Sequence, residues 1–245
     1  MPYIHLVLPS YGLLAFVGGF FAIVFLFVRL EKYGIEFVEF LRLFIVSILG
    51  GLIGSKFLFA ITQIPWLINN FSWPNLILLI PRSGFVYYGG LFGVLGALWL
   101  VSGSDLKKRN NFYKFIIPSI PLFHCFGRIG CMMAGCCYGI DLDNHIYIGF
   151  FEFSKAPVQL IEAVFEFLMF LTFLDLEKRN SKLYSLSNYL LTYAVFRFFI
   201  EFFRGDIVRG IWAGLSTSQY ISFFIIMTVL VSKLKNNKKQ EENDG

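Results

Sequence analysis

Apolar residues run through this chain in long stretches rather than in alternation. Seven such segments lie at roughly 11–29, 42–63, 84–102, 113–135, 157–175, 183–203 and 215–232. Each is close to the ~20 residues that a helix needs to cross a bilayer. The pattern predicts an all-α polytopic membrane protein with seven transmembrane helices. It forms one membrane domain, 1–232, followed by a polar tail, 233–245, whose composition predicts disorder. The longer connections are 64–83, 136–156 and 204–214. The first carries Trp66, Trp73 and three prolines, which suits an interfacial loop or a short horizontal helix.

Composition agrees with this reading. Of the 245 residues 57% are hydrophobic and 15% charged, with 31 phenylalanines. A soluble domain carries about 25% charged residues. The net charge of +5 is therefore a question of placement across a membrane and not a nucleic-acid signal. One set of connections holds Arg29, Lys32, Arg42, Lys107, Lys108, Arg109, Lys114, Lys178, Arg179, Lys182 and the lysines of the tail. The alternate set holds Arg82, Lys155, Arg204 and Arg209. The positive-inside rule then puts the N-terminus outside and the C-terminus in the cytoplasm, which requires an odd number of spans. The opening residues lack a basic n-region and a nearby small-residue cleavage site, so they read as the lead-in to the first span.

Ionisable residues within the spans are costly and mark function. They are Lys56, Arg128, Glu162, Glu166, Arg197 and Glu201, with Arg204 at an outer edge. The expected topology puts most of them in the external half of the bilayer. Arg197, Glu201 and Arg204 are spaced i, i+4, i+7 and share one helical face. That arrangement reads either as a structural ion-pair ladder or as an anion site, since guanidinium forks match phosphate. Gln159, Glu162 and Glu166 share a face of the fifth segment, with Glu162 a partner for Arg128 or Lys56 and Pro157 at the helix start. Tyr87 and Tyr88 precede Gly89, Gly90, Gly93 and Gly96. Glycines at that spacing serve close helix packing, whereas the Tyr88 phenol can donate to a phosphate or carry a proton.

The stretch 127–139, GRIGCMMAGCCYG, sets Arg128 among glycines and beside Cys131, Cys136 and Cys137. Pro118 and Pro121 loosen the helix before it, and the glycines permit unwound backbone, which a membrane tolerates only against protein or a wet cavity. The three cysteines read as small packing residues, as reactive thiols beside a cation, or as metal ligands. No histidine or further cysteine stands at zinc-site spacing, so no metal is expected. His124, one turn before Arg128, reads as a structural histidine.

The motifs YYGGL, GRIGCMMAGCCYG, PVQLIEA, RFFIEFFRGD and LSTSQ occur in the order found in prolipoprotein diacylglyceryl transferases. From about Gly50 to Gln219 the chain resembles that family, and within it a CCYG-bearing subgroup. The resemblance implies transfer of a diacylglyceryl group from phosphatidylglycerol to the lipobox cysteine of a lipoprotein precursor, at the bacterial cytoplasmic membrane and without a cofactor. It implies catalytic roles for Arg128, Arg197 and Glu201, and substrate contacts from Gly89, Gly90, Gly130, Gly139, Gln159, Glu162 and Arg204; Lys56, as an ionisable residue within a span, is a further candidate for substrate binding. The family's partners would be phosphatidylglycerol and the precursor's signal peptide. Three positions depart from the family pattern: Tyr88 stands for a histidine, Cys131 for an asparagine and Cys136 for a glutamate. With the histidine replaced, Tyr88 becomes the candidate proton acceptor. Two rival readings keep the site but change its use. One has a different acceptor or a cysteine-linked intermediate. The other is a lipid-binding membrane protein without chemistry.

Overall fold

The computed structural model describes residues 10–64, 68, 72, 86–148, 151–205 and 211–244. Helices dominate: α1 (Ser10–Val28), α2 (Leu30–Tyr33), α3 (Phe37–Thr62), α4 (Tyr87–Ser102), α5 (Leu106–Ile116), α6 (Ser119–Met133), α7 (Val158–Lys178), α8 (Leu186–Ile200) and α9 (Thr217–Asp244). A single 3-10 turn, Glu201–Phe203, follows α8. Each of the expected apolar segments overlaps helix, although residues 84 and 85 lie outside the described residues and Leu215–Ser216 form a short strand. The segment 113–135 is divided between α5 and α6, because Pro118 cannot continue an α-helix and disfavours helical backbone at the residue before it. Tyr11–Val28, Phe37–Thr62, Leu106–Met133 and Thr217–Lys235 are long and apolar enough to cross a membrane. The chain is thus a helical membrane protein. One face of α3 shows why: Ile45, Leu49, Ile53 and Phe57 repeat every fourth residue and all are exposed, a surface suited to lipid and not to water. The connection at 64–83, with Trp66 and Trp73, lies almost wholly outside the described residues, as do Arg82 and Arg209.

Two compact units make up the chain. Residues 27–115 form one. In it α3 and α4 cross along a glycine seam, where a Cβ on Gly54 would collide with the carbonyl oxygen of Gly89 and one on Gly93 with that of Gly50. The seam is the close packing that small residues allow between membrane helices. Ser55 Oγ donates to Val86 O at 3.1 Å and ties the start of α4 to α3. Asn111 Nδ2 donates to Tyr33 O at 2.9 Å and ties α5 to α2.

Residues up to 26 and from 116 onward form the other unit. Here α6 packs on α7 and α8 on α9. Phe165 of α7 stacks on Phe196 of α8 with centroids 3.6 Å apart, and Lys233 Nζ reaches Asn188 Oδ1 at 2.6 Å. In a chain expected to be all-α, the long connection 136–156 holds an antiparallel strand pair, β1 (Asp141–Ile148) with β2 (Phe151–Lys155). A smaller pair, β3 (Ile211–Trp212) with β4 (Leu215–Ser216), precedes α9. The polar tail also differs from expectation, since α9 runs on to Asp244. Lysine, glutamine and glutamate are good helix formers, and they extend a helix already nucleated by the apolar residues before them.

Candidate active site

Three helices supply a buried charged cluster. On α6, His124, Arg128 and Cys131 recur at i, i+4, i+7 and point inward. On α7, Gln159, Glu162 and Glu166 occupy one buried face. At the end of α8, Arg197 and then Glu201 are buried, with Arg204 just beyond. Glu162, 2% exposed, is the hinge of the cluster. Its Oε1 forms an ion pair with Arg128 Nη2 at 3.1 Å and, in a very short contact, accepts from Arg197 Nη1. The second nitrogen of Arg197, Nη2, meets Glu201 Oε2 at 2.7 Å, and Arg204 Nη1 stands 3.7 Å from that same oxygen. Three guanidiniums and two carboxylates thus form one connected network. The sequence spacing of Arg197, Glu201 and Arg204 is realised as a ladder, and Glu162 pairs with Arg128 and Arg197. Lys56, the other candidate partner, lies half-buried on α3 in the other unit.

Burying charge is costly unless each charge is paired, and here the pairing is shared. The Nε of Arg128 and Oε2 of Glu162 have no hydrogen-bond partner among the described residues. Glu166 does not join the arginines. Its Oε1 meets His124 Nδ1 at 2.7 Å, and the imidazole lies edge-on to Tyr193 with centroids 5.8 Å apart.

Backbone features hold the cluster from outside. Ser216 Oγ accepts from Gln219 N at 3.2 Å while Gln219 Oε1 accepts from Ser216 N at 2.9 Å. This is a reciprocal capping box, and it starts α9. Within it Ser218 Oγ accepts from Arg197 Nη2 at 3.5 Å. Ser218 was missed at the level of sequence, although the S-x-x-Q signature of the box is legible in LSTSQ. Gly139 pairs with Arg204 in an isolated bridge; Gly139 N donates to Ala156 O at 3.0 Å, and Ile140 N to Phe203 O at 2.9 Å. A Cβ on Gly139 would stand 2.5 Å from Ala156 O and 2.8 Å from Phe203 O, so glycine is required by the close approach of two backbones. Gly139 therefore sets the path of the chain that carries Arg204.

Past Met133 the backbone reverses. Gly135 has φ +67° and Cys137 φ +57°. Cys136 N reaches back to Cys131 O at 3.1 Å, and Gln159 Nε2 donates to Cys136 O at 2.6 Å. The Sγ atoms of Cys131, Cys136 and Cys137 all lie within 4.8 Å of one another. Gly130 faces α1, where its Cβ position is 3.3 Å from the Tyr11 ring.

The opposite side of α6 and α7 is apolar. A cavity of about 650 Å³ lies between α1, α6 and α7, lined by Phe21, Phe25, Leu122, Phe126, Ile129, Phe167 and neighbouring apolar side chains. The helical repeat of α7 thus sends Glu162 to the charged cluster and Leu160, Ala163, Val164 and Phe167 to the cavity.

The remaining predicted residues belong to the other unit. Tyr88 is 2% exposed and stacks on Phe92 at 6.0 Å. Gly89 lies in the seam with α3, and a Cβ on Gly90 would stand 2.7 Å from Ser55 Oγ.

Comparison with known proteins adds a second line. The family model for prolipoprotein diacylglyceryl transferase matches residues 3–234. A phosphatidylglycerol–prolipoprotein diacylglyceryl transferase 2 of Clostridium perfringens is 34% identical over 247 residues, covering 95% of this chain and 94% of that protein. The transferase of Clostridium tetani is 33% identical over 246 residues, covering 94% of each chain. That of Helicobacter pylori is 31% identical over 235 residues, covering 87% of this chain and 82% of its own. On a match that spans nearly its whole length, the chain belongs to the prolipoprotein diacylglyceryl transferase family.

Proposed function

We propose that this chain is a transferase that moves the diacylglyceryl group of phosphatidylglycerol onto the lipobox cysteine thiol of a lipoprotein precursor, in the outer half of the bacterial plasma membrane. The observation that carries the reading is the buried network of Arg128, Arg197 and Arg204 against Glu162 and Glu201, one cation in excess. Phosphatidylglycerol presents a single anionic phosphodiester at the interface, and an excess guanidinium is complementary to it. The unpartnered Nε of Arg128 leaves that side chain with donor capacity beyond its pair with Glu162.

In the reaction the acceptor thiolate attacks the glyceryl carbon. A carbon–sulfur bond forms, the carbon–oxygen bond to phosphate breaks, and glycerol phosphate leaves with the electron pair. Fixed guanidiniums in a site of low dielectric stabilise the charge that gathers on the departing phosphate. Glu162 and Glu201 hold Arg128 and Arg197 in orientation, so that little reorganisation accompanies the step. The wholly apolar cavity between α1, α6 and α7 suits the acyl chains. Tyr88 is assigned the thiol proton on its motif position.

The topology that goes with this function has seven spans, the N-terminus outside and the C-terminus in the cytoplasm. It is supported by the lysine and arginine bias of the connections and by helix in each apolar segment. The test is transfer of radiolabelled diacylglyceryl to a lipobox peptide. Arg128→Ala and Arg197→Ala each abolish it, and Tyr88→Phe lowers it while lipid binding is kept. Transfer unchanged in either arginine variant removes the assignment.

A further inference from the structure

The transfer reaction makes no use of the three thiols at the end of α6. From their geometry we infer that Cys131, Cys136 and Cys137 form a three-coordinate site for a thiophilic d10 metal ion, with Cu(I) as the best fit. Spacing along the chain argued against a metal, because C-x4-C-C matches no zinc pattern. The fold replaces spacing with proximity. Left-handed backbone at Gly135 and at Cys137 turns the chain back over the last turn of α6, and the three sulfurs converge within 4.8 Å. In a trigonal site with metal–sulfur bonds of about 2.3 Å, the sulfurs stand about 4 Å apart, so small side-chain rotations close it.

Several further features fit this donor set. Positive φ at a non-glycine residue such as Cys137 persists only where its surroundings demand it. Here the demand is visible: Gln159 Nε2 holds the Cys136 carbonyl and Cys131 O holds the Cys136 amide. The group consists of thiols alone, with no carboxylate or imidazole among the described residues to make a harder or four-coordinate site. Soft thiolates select Cu(I), whereas a structural Zn(II) site calls for a fourth ligand. Three thiolates around a monovalent ion carry two net negative charges. Arg128 and Arg204 act electrostatically on Cys137 and offset them. Cys131 is buried, Cys137 half-buried and Cys136 exposed, which leaves a path of entry. As the ion binds, three metal–sulfur bonds form and three thiol protons pass to the buffer, with no change of oxidation state.

The experiment uses the full chain in detergent, purified anaerobically and stripped of metal. Cu(I) is titrated in competition with a chromophoric Cu(I) chelator, and Zn(II) in competition with a zinc indicator. The unaltered protein withholds one equivalent of Cu(I), and withholds Zn(II) more weakly. Cys136→Ser and Cys137→Ser, each checked for the parent's elution volume and helical circular dichroism, weaken Cu(I) binding by more than the 10–100-fold typical of losing only a supporting contact. Cys125→Ser, altered in the apolar cavity, binds as the parent does. Failure of the parent to withhold Cu(I), tighter retention of Zn(II) than of Cu(I), or retention by the Cys136→Ser/Cys137→Ser double variant overturns the inference.

Discussion

Replacing Glu162 with glutamine should be the most damaging single change to the charged cluster that keeps side-chain volume. The carboxylate holds two guanidiniums on one oxygen, at 2% exposure. At the 3.1 Å separation from Arg128, and with an effective dielectric of about 20, one contact contributes about 5 kcal/mol of Coulomb attraction before desolvation is counted. The net cost of breaking a buried pair by removing one partner is about 3–5 kcal/mol. Here the loss removes the carboxylate partner of Arg128 and leaves Arg197 with Glu201 and Ser218, so the upper end of that range applies. Glu201→Gln is milder, because Arg197 keeps Glu162. The assay is unfolding of the purified chain in detergent, followed by intrinsic fluorescence against temperature and denaturant, with transfer activity measured in parallel. Glu162→Gln lowers stability by about 3–5 kcal/mol and removes transfer. The double variant Arg128→Met/Glu162→Gln regains part of the stability without regaining transfer, since the stranded cation is gone. Equal stability of Glu162→Gln and the parent would refute the reasoning. So would a double variant whose loss is the sum of the two single losses, because coupled neighbours do not add.

Other expectations follow from the same structure. Gly139→Ala forces a Cβ to within 2.5 Å of Ala156 O, costs about 1–3 kcal/mol in thermal unfolding and lowers transfer by displacing Arg204. Gln219→Ala opens the capping box of α9 and costs about 1 kcal/mol in the same measurement, with a smaller fall in transfer. In the hairpin, hydrogen bonds from His145 and Tyr147 hold the Glu152 carboxyl below its ordinary range. A lowered folded value means that this contribution is present above the ordinary carboxylate range and is lost as pH falls through the folded value. Amide protection in β1 and β2, corrected for intrinsic exchange, therefore declines on acidification, and Glu152→Gln removes that dependence.

Much of this was legible in the chain, and the rest had reasons for being hidden. Long apolar runs located the helices, and four stretches, Tyr11–Val28, Phe37–Thr62, Leu106–Met133 and Thr217–Lys235, are long enough to cross a membrane. Fixed helical spacing was enough to align Arg197, Glu201 and Arg204, and to put Gln159, Glu162 and Glu166 on one face. It was not enough to pair Glu162 with both Arg128 and Arg197, because that pairing depends on how α6, α7 and α8 meet. The hairpin at 141–155 was missed because its short alternation sits between much stronger apolar runs. The clustering of the cysteines was hidden for another reason. Left-handed backbone at Gly135 is an ordinary reading of glycine, but at Cys137 it is not, and convergence of the three thiols depends on both. The apolar cavity belongs to three helices at once, so no single segment announces it.

The most direct test of the account is mass spectrometry of a lipobox peptide incubated with the purified chain in phosphatidylglycerol vesicles. The account predicts that the peptide gains one diacylglyceryl group on its cysteine while one equivalent of glycerol phosphate is released. It also predicts that both products vanish together in Arg128→Ala and in Arg197→Ala. An unmodified peptide with the parent protein, or a modified one with either arginine variant, would contradict it.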